Sequence, residues 1–538
     1  MEANTVQSKF WVEKLADDVI KRFPNADVYR TENGIGASGF PHIGSLSDAV
    51  RSYGVKLALE CRKLKAEHIA YSDDKDGLRK VPRGLPNDLE RYIGIPVTSI
   101  PDPFKCHGSY GEHMGSLLLD GLDKLGIKYR FYSGTQVYKQ GILNHQIHLI
   151  LENWKKVGEI ILETTGQEKY TKVLPYLPVC ENCGRIYTTE ANHYDVSTGS
   201  VYYACVGGEI AGKFYQGCGF KGEAKLVDGE GKLAWKTEFA ARWAALGVSF
   251  EAYGKELTDS IACNDRICRE VLNHEPPVHT RYEIFLNKEG RKMSKSSGEL
   301  ITHDEWLRYG SPASLRLLMF KRFEGAREVG LEDIPLYMEE LKTLEEVYFG
   351  LKNVDDKAEL QDKISLYRYT YLLNVPSKPS IRPPYNLLVY LCRLAPEQNS
   401  FDFVLEKLRD YGYSPKDDGE RTHLLEQIHY AYNWAKDHET IVGSTQLNQE
   451  EKRALSKILE LLETKTDEQG YQSSVYEAAK ALEMNSKQVF QAFYKALIGQ
   501  NSGPRIGPYI KAMGKDNVMN RLRQIVADSV DSKNQPTD

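Results

Sequence analysis

Two short segments of the chain carry groups that suit a polyphosphate ligand. Residues 41–45, Pro-His-Ile-Gly-Ser, follow a glycine-rich stretch at residues 34–39. A glycine-rich turn that opens a helix presents unpaired backbone N–H groups and the positive end of the helix dipole. Residues 292–296, Lys-Met-Ser-Lys-Ser, add two ammonium groups on flexible stems. Each segment alone is also typical of an ordinary turn or a solvated hairpin end, so the interpretation depends on the pair.

As a pair in this order, the two segments predict the two halves of a triphosphate clamp. Glycines let the backbone approach the ligand closely, and imidazole and hydroxyl groups can donate to phosphate oxygens. The lysines can neutralise the negative charge from the other side. The candidate nucleotide-binding residues are Gly39, His42, Gly44, Ser45, Lys292, Met293, Ser294, Lys295 and Ser296.

The nine cysteines are unevenly spaced, and four of them, Cys180, Cys183, Cys205 and Cys218, fall within one short stretch. Cys-Glu-Asn-Cys-Gly at 180–184 has the tight turn and trailing glycine of a zinc knuckle. Four soft ligands suit a closed, tetrahedral and therefore structural Zn²⁺ site. His193 could replace Cys205 as a ligand, and buried free cysteines are the alternative. Such a metal would organise an insertion too small to fold alone.

The elements around these segments alternate as in a parallel sheet. Residues 26–33 predict a strand, residues 45–64 have helical spacing of apolar side chains, and residues 67–72 predict a second strand. Strand, helix and strand with short joins form a parallel crossover unit. Further strands are predicted at 129–132, 248–253 and 281–286, with helices at 144–163 and 237–246. From about residue 334 helical patterns dominate, at 338–351, 424–437, 450–463 and 473–497.

Length and composition limit the number of domains and the class of protein. A chain of 538 residues is too long for one core, which predicts three to five domains. Its composition, 41% hydrophobic and 27% charged, is that of an ordinary globular protein, and no apolar run approaches a membrane span of about 18 residues. The N-terminus lacks the layout of a signal peptide, so a cytoplasmic location is expected. The net charge of −5 does not exclude an RNA partner, because a basic footprint can be local.

The two clamp segments resemble the HIGH and KMSKS signatures of class I aminoacyl-tRNA synthetases. Longer strings are similar to class I lysyl-tRNA synthetases, and they cover most of the chain: residues 31–46, 72–82, 235–256, 282–302 and 503–514. The resemblance implies an α/β fold, in which a Rossmann-type parallel-sheet catalytic domain carries a zinc-containing insertion. An all-α C-terminal anticodon-binding region follows it.

The activity implied is ATP-dependent activation of lysine to lysyl-adenylate, followed by transfer to the 3′-terminal adenosine of tRNA(Lys), with Mg²⁺ accompanying ATP. By this resemblance His42 contacts the transferring phosphate, and Lys292 and Lys295 neutralise the pyrophosphate. These three are the candidate catalytic residues. A class I synthetase for another amino acid, glutamate being nearest, is one alternative, and a catalytically inactive RNA-binding paralogue is the other.

A bound lysine needs a carboxylate or an aromatic wall for its ammonium group. Trp235 and one of the pair Asp73 and Asp74 are favoured for this role, and the resemblance adds Asp265 as a contact to the amino acid or ribose. An N-cap on a polar turn is the alternative for Asp265. The full set of candidate lysine-binding residues is Gly34, Gly36, Ser38, Asp73, Asp74, Trp235 and Asp265.

Three positions depart from the family pattern. Ser45 replaces the second histidine of the first signature, Glu238 stands where aspartate is usual, and Leu257 follows Gly-Lys-Glu where a histidine is expected. If that histidine helps to hold the substrate, this protein must arrange lysine binding differently.

The expected domains follow from these patterns. They are the first half of the catalytic domain (1–172), the zinc insertion (173–232), the second half (233–290), the KMSKS loop with a connecting stem-contact region (291–345) and a helical anticodon-binding domain (346–538). The insertion is expected near the tRNA acceptor end. Aromatic and basic residues near the C-terminus, Tyr509 and Arg521 among them, could stack on or pair with an anticodon.

Overall fold

The structure is a computed structural model that describes residues 10–283, 285–287, 290, 301–321, 326–438, 447–498 and 505–527. The chain forms two compact units. The first comprises Met1–Trp306, Pro312–Asp333 and Leu344–Val375, and the second comprises Leu307–Ser311, Ile334–Thr343 and Pro376–Asp538. Within the described ranges, no helix combines the length and the apolar character needed to cross a bilayer.

The first unit begins with alternating helices and strands, as the hydrophobic spacing predicts. These elements are α1 (Trp11–Arg22), β1 (Tyr29–Ile35), α2 (Ser47–Cys61), β2 (Ala66–Ser72), α3 (Tyr110–Lys124), β3 (Arg130–Ser133), α4 (Gly134–Lys139), α5 (Asn144–Glu152) and α6 (Trp154–Thr165). The strand β2 is buried from His68 to Ser72, including the apolar residues Ile69, Ala70 and Tyr71, as expected for a strand covered on both faces of a parallel sheet.

The cysteine segment forms a separate group of short antiparallel strands. They are β4 (Tyr176–Pro178), β5 (Thr189–Asp195), β6 (Ser200–Cys205), β7 (Gly207–Ile210), β8 (Lys213–Gln216), β9 (Lys221–Lys225) and β10 (Gly231–Leu233). β4 pairs with β10, β6 lies between β5 and β9, and β7 pairs with β8.

The alternation then resumes and completes the sheet. The elements are α7 (Trp235–Leu246), β11 (Val248–Gly254), α8 (Thr258–Glu270), β12 (Val278–Tyr282), β13 (Phe285–Leu286), α9 (His303–Tyr309), α10 (Pro312–Phe320) and β14 (Arg327–Glu328). The main sheet has five strands in the order β12-β11-β1-β2-β3, and every neighbouring pair is parallel.

This strand order places a topological switch point at β1. The chain continues from β1 to β2 on one side and returns later to β11 on the other. In open parallel sheets, ligands bind beyond the carboxyl ends of the strands at such a point. The predicted α/β fold class is confirmed, and the glycine-rich turn after β1 lies at the edge where a ligand is expected.

Helices make up the rest of the described chain. They are α11 (Ile334–Tyr348), α12 (Lys357–Thr370), α13 (Tyr385–Leu394), α14 (Ser400–Asp410), α15 (Asp418–Asp437), α16 (Gln449–Thr464), α17 (Glu468–Ala481), α18 (Ser486–Ile498), α19 (Ile506–Met513) and α20 (Lys515–Ala527). The first unit extends to Val375, so α12 belongs to it and the helices from α13 onward belong to the second unit.

In the second unit, one candidate anticodon contact is in the core. Tyr509 is only 1% exposed, and its ring lies 5.0 Å from the Tyr390 ring and 5.8 Å from the Phe493 ring. A side chain enclosed in this way packs the helices together. The suggestion that Tyr509 stacks on a nucleotide is therefore wrong.

Candidate active site

The turn between β1 and α2 places His42 at the carboxyl edge of the sheet. His42 has an extended backbone and caps a short 3-10 turn at Ile43–Leu46, because its Nδ1 accepts a hydrogen bond from the Gly44 N–H at 3.0 Å. A Cβ at position 44 would lie 2.7 Å from the His42 ring, so the arrangement requires glycine. Since Nδ1 accepts, the ring proton belongs on Nε2. His42, Gly44 and Ser45 are half-buried, whereas Gly39 is buried.

Two hydrogen bonds hold this turn from outside. The backbone N–H of Ile43 donates to the carbonyl oxygen of Ile301 at 2.9 Å, and the hydroxyl of Tyr110 in α3 donates to the carbonyl oxygen of Ser38 at 3.0 Å. Ile301 follows the serine- and lysine-rich segment in the chain. The predicted ligands in that segment, Lys292, Met293, Ser294, Lys295 and Ser296, lie outside the described residues.

A buried cluster of charges lies beside the turn. The guanidinium of Arg242 in α7 is 2.5 Å from Glu32 Oε1, 3.2 Å from Asp73 Oδ1 and 3.3 Å from Glu251 Oε1. It also lies over the ring of Tyr71, 4.4 Å from its centroid. Arg242 and Glu32 are fully buried. One cation facing three carboxylates leaves an excess of negative charge when all of them are ionised.

Burial shifts the titration of these carboxylates. Burial raises the pKa of Glu32 well above its usual range, and the charges of Glu251 and Asp73 add to this, while Arg242 opposes it. Burial likewise raises the pKa of Asp73 to about 7 against the same guanidinium. The site therefore holds carboxyl groups that a bound cation would help to ionise.

A second ion pair lies close to the first. Lys232 Nζ is 2.6 Å from Glu238 Oε2 and also contacts Asp76 Oδ1, while the hydroxyl of Tyr138 donates to Glu238 Oε1 at 2.9 Å. Burial disfavours the charge of Lys232, but Asp76 and Glu238 outweigh it and raise the lysine pKa well above its usual value. Glu238, where aspartate was expected, is thus held by Lys232 and Tyr138 and is only 3% exposed.

The two adjacent aspartates after β2 face different partners. Asp73 points to the switch point: its Oδ2 lies 3.5 Å from where a Cβ of Gly34 would be, and its N–H donates to the Ile35 carbonyl. Asp74 is buried and accepts from the Thr135 N–H at 2.7 Å, at the start of α4. The structure therefore brings Asp73 to the candidate site and gives Asp74 a role in holding α4.

Trp235 and Asp265 lie on the elements that follow. Trp235 is the first residue of α7 and lines a cavity of about 390 Å³ with Asp76, Arg79 and Lys232. Asp265 lies inside α8, where it accepts from His279 Nε2 at 3.0 Å. The helix begins at Thr258, so residues 262–268 do not form a polar turn before a helix, and the N-cap role considered as the alternative for Asp265 is excluded.

Sequence reasoning missed the centre of the charge cluster. Arg242, Glu32 and Glu251 were not singled out, although α7 carries a usable signal. In the sequence, Glu238 and Arg242 are flanked by the apolar residues Phe239, Ala240, Ala241 and Trp243, and every residue from Thr237 to Trp243 is buried. Charged residues are almost never fully buried unless they are paired, so partners elsewhere had to exist. Their identity depends on the tertiary fold.

The four cysteines of the insertion come together. The Sγ atoms of Cys180 and Cys218 are 3.5 Å apart, those of Cys183 and Cys205 are 3.8 Å apart, and all four lie within 4.8 Å of one another. Tetrahedral Zn²⁺ with Zn–S bonds of about 2.3 Å sets neighbouring sulfurs roughly 3.8 Å apart, so this donor set fits the ion. The ring of His193 instead stacks on that of Tyr202, with 5.8 Å between the centroids. Cys205, and not His193, therefore lies with the other three cysteines.

A Rossmann-type parallel sheet with a phosphate-suited turn at its switch point defines a nucleotide-binding catalytic domain. Residues 9–371 match the family model described as tRNA synthetases class I (K), and residues 422–526 match the one described as anticodon binding domain. The chain belongs to the class I tRNA synthetase (K) family.

Relatives and one solved structure extend this comparison. A protein named lysine–tRNA ligase from Cenarchaeum symbiosum (strain A) is 44% identical over 96% of this chain and 99% of its own length. Another of that name from Rickettsia bellii (strain RML369-C) is 30% identical over 97% of this chain and 98% of its own. The crystal structure of a glutamate tRNA ligase from Elizabethkingia meningosepticum covers 93% of this chain and 99% of its own, with 12% identity and a TM-score of 0.33, too distant to support an argument.

Proposed function

We propose that this protein is a lysine–tRNA ligase. It uses ATP to convert lysine to lysyl-adenylate and transfers the lysyl group to the 2′-hydroxyl of the 3′-terminal adenosine of tRNA(Lys). The observation that carries this proposal is the 44% identity with a lysine–tRNA ligase over 96% of this chain. Mg²⁺ accompanies ATP by binding its phosphate oxygens. We place the reaction in the cytoplasm, where charged tRNA is used in translation.

The turn after β1 is proposed to hold the α-phosphate of ATP. A lysine carboxylate oxygen attacks the α-phosphorus, and pyrophosphate leaves with the electrons of the broken P–O bond. His42 can donate from Nε2 to a phosphate oxygen, because its Nδ1 is occupied by the Gly44 N–H. Gly39, Gly44 and Ser45 supply close backbone approach and a hydroxyl. Donors already fixed in place stabilise charge that develops in the transition state.

The lysines at 292 and 295 are proposed to neutralise the leaving pyrophosphate, with Met293, Ser294 and Ser296 in the same loop. The bond from Ile43 to Ile301 supports this, because it ties the far end of that segment to the His42 turn. Ile301 follows Lys295 by six positions, and an extended chain of that length spans at most about 22 Å. We propose that the long side chains of Lys292 and Lys295 reach the nucleotide held by this turn.

The carboxylate of Asp73 and the ring of Trp235 are proposed to bind the side chain of the substrate lysine. Asp73 lies beside Gly34 at the switch point, in a cluster with more carboxylates than cations. That excess favours a cationic substrate over glutamate, since the negative side chain of glutamate would meet Asp73 and Glu32. Gly36, Ser38 and Asp265 are proposed to contact the remaining amino acid or ribose groups.

The test is amino-acid-dependent ATP–pyrophosphate exchange, with tRNA present throughout. Lysine is expected to stimulate exchange, and Lys295→Ala to reduce kcat by about 10²–10³, the cost of removing one transition-state donor. Lys65→Ala, an exposed lysine distant in sequence, is the matched control and should behave as the wild type. Stimulation by glutamate but not lysine would reject the assignment, and no exchange with any amino acid would indicate an inactive paralogue.

Substitutions of the neighbouring residues Asp73 and Asp74 provide a second test variant with its matched control. Asp73→Asn is expected to raise KM for lysine by about 100-fold, because losing one partner of a buried charge pair costs roughly 2–5 kcal/mol. Asp74→Asn keeps an oxygen that can accept from the Thr135 N–H, so KM should change less than about threefold. Equal effects of both changes would contradict the proposed role of Asp73.

Zinc at Cys180, Cys183, Cys205 and Cys218 is proposed to be structural, because four thiolates leave no open coordination position. The insertion that these residues organise, residues 173–232, is proposed to meet the acceptor end of tRNA(Lys). The helical region that contains residues 422–526 is proposed to bind the anticodon.

A further inference from the structure

The helix α3 contacts the segment that carries His42. Tyr110, the first residue of α3, is fully buried, and its hydroxyl donates to the carbonyl oxygen of Ser38 at 3.0 Å. The same helix packs against the 3-10 turn at Ile43–Leu46. The beginning of α3 therefore supports the turn that is proposed to hold the α-phosphate of ATP.

The other end of α3 is joined to the start of α9. His303, the first residue of α9, donates from Nε2 to Asp120 Oδ2 at 3.2 Å and is only 2% exposed. Its ring lies against Gly121 of α3, where a Cβ would be 3.0 Å from Nδ1, so a larger residue would push the ring away. Lys124 Nζ lies 2.6 Å from Asp120 Oδ2 and 2.7 Å from Asp304 Oδ1.

The charges at this junction are matched. The carboxylates of Asp120 and Asp304 share the ammonium group of Lys124 as their common cation. Burial disfavours the charge of Asp120, but hydrogen bonds from Lys124 and His303 outweigh it and hold the pKa of Asp120 below its usual value. A carboxylate only accepts hydrogen bonds, so the proton of the His303 ring belongs on Nε2. The junction between the two helices is therefore directional and fixes how they meet.

The start of α9 leads back to the His42 turn. Thr302 and Glu305 form a capping box: the Thr302 hydroxyl accepts from the Glu305 N–H at 3.1 Å, and the Glu305 carboxylate accepts from the Thr302 N–H at 2.8 Å. The residue before the box, Ile301, accepts from the Ile43 N–H at 2.9 Å. Two routes therefore run from α3 to this turn, one through Tyr110 and one through α9, and they form a closed circuit of contacts.

This circuit sets where the His42 ring stands. Asp120 follows Tyr110 by ten positions, about 15 Å along a helix that cannot be compressed. A catalytic group misplaced by about 1 Å can lose a factor of about 10² in rate. We propose that Asp120, Lys124 and His303 are positioning residues for the activation step. They act through the His42 turn and not on the nucleotide itself, and the inference rests on the function proposed for that turn.

The test is lysine-dependent ATP–pyrophosphate exchange in the full chain, with tRNA present. His303→Leu removes the donor to Asp120 but keeps a similar buried volume, and it should lower kcat by about tenfold. KM for lysine should change by less than about twofold, because Asp73 is held by Arg242 and not by α3. His303→Gln keeps an N–H donor near the position of Nε2 and should recover about half of the wild-type kcat or more.

A double-variant cycle with His42 separates positioning from a general loss of structure. In the His42→Ala background, His303→Leu should lower kcat further by less than about twofold, because no imidazole is left to position. Asp123→Asn changes an exposed carboxylate of the same helix and should behave as the wild type. A tenfold loss in both backgrounds, or no loss in either, would overturn the proposal.

Thermal unfolding of each variant shows whether it is folded. If His303→Leu is not, Lys124→Met replaces it in the same cycle, since the side chain of Lys124 is 42% exposed and its loss leaves the core intact. An expected loss of about threefold in kcat should again disappear in the His42→Ala background. An unchanged kcat in Lys124→Met would then overturn the proposal. A wild type without lysine-dependent exchange would instead reject the proposed function, and this inference with it.

Discussion

Arg242 supplies the positive charge that compensates the carboxylates at the switch point. It contacts Glu32 on β1, Asp73 after β2 and Glu251 on β11, so it joins three neighbouring strands. The Trp243 indole adds a hydrogen bond to Glu251 at 2.5 Å. A buried charge without its partner is strongly unfavourable, so the stability of the sheet and the position of Asp73 depend on one guanidinium.

Replacing Arg242 tests this dependence. Arg242→Met keeps much of the side-chain volume but leaves three buried carboxyl groups uncompensated, which should lower the free energy of unfolding by about 3–5 kcal/mol. Urea unfolding followed by tryptophan fluorescence measures the change. Arg91→Met is the control, because the Arg91–Asp88 pair is exposed and should contribute little. If Arg242→Met lowers the free energy of unfolding by less than about 1 kcal/mol, the charge cluster does not stabilise the fold as expected.

The pKa of Asp73, the proposed partner of the lysine ammonium group, predicts how lysine binding should respond to pH. In the free protein burial raises this pKa to about 7, whereas an ammonium partner favours the ionised carboxylate. Below pH 7 binding must therefore release a proton, and lysine affinity should rise up to about tenfold per pH unit and level off above pH 7. Calorimetry at pH 6 in two buffers of different ionisation enthalpy should detect nearly one proton released. Asp74→Asn should retain this release, and Asp73→Asn should abolish it.

At the scale of elements, the parallel alternation could be predicted because each strand and helix has its own hydrophobic period. The predicted strand at 67–72 and helix at 237–246 lie within one or two residues of β2 and α7. The helix predicted at 144–163 is broken at Asn153, whose side chain donates to the Leu149 carbonyl and competes with the helix backbone. The helix predicted at 473–497 is also broken, because Glu483 has a φ of 56°, which a right-handed helix does not allow.

The candidate site was only partly predictable from the sequence. The glycine-rich turn and the cysteines are local patterns, so their residues could be named. The choice between Asp73 and Asp74 depends on which one meets Arg242, and Arg242 follows them by about 170 residues. The group of potential metal ligands formed by Asp102, Cys106, His107 and His113 was missed because its spacing, with adjacent cysteine and histidine, resembles no common zinc motif.

The cysteine insertion is the element whose stability should depend most on metal. Its buried cluster is small: Tyr203 and Ala224 pack with Cys180 and Cys205 themselves. Removing one ligand of the proposed zinc site by Cys183→Ser should therefore loosen the end of the insertion near the four cysteines, while the parallel sheet persists. Hydrogen exchange measured by mass spectrometry should become at least about tenfold faster at residues 180–184 and 203–222 and remain unchanged in β1 and β2. Unchanged protection in the insertion would contradict the structural role, and Cys61→Ser serves as the control.

At the scale of the whole molecule, negative charge slightly exceeds positive charge. The chain has 70 lysines and arginines against 75 aspartates and glutamates, and so a net charge of −5. Several of the carboxylates, including Glu32, Glu238 and Glu251, are buried in the first unit. A negative molecule that binds RNA must do so through local groups of cations, because the overall field repels phosphates.

Salt concentration should therefore affect the binding of tRNA and the binding of lysine differently. Each phosphate contact releases counterions, so tRNA binding should weaken steeply between 50 and 200 mM salt, by about 10³ for six contacts. At the proposed site lysine meets buried charges, which salt screens little, so its affinity should change less than about twofold. Aminoacylation and titration calorimetry across this range measure KM for tRNA and Kd for lysine. Equal salt dependence of both would place lysine at an exposed site, and salt-independent tRNA binding would require recognition without phosphate contacts.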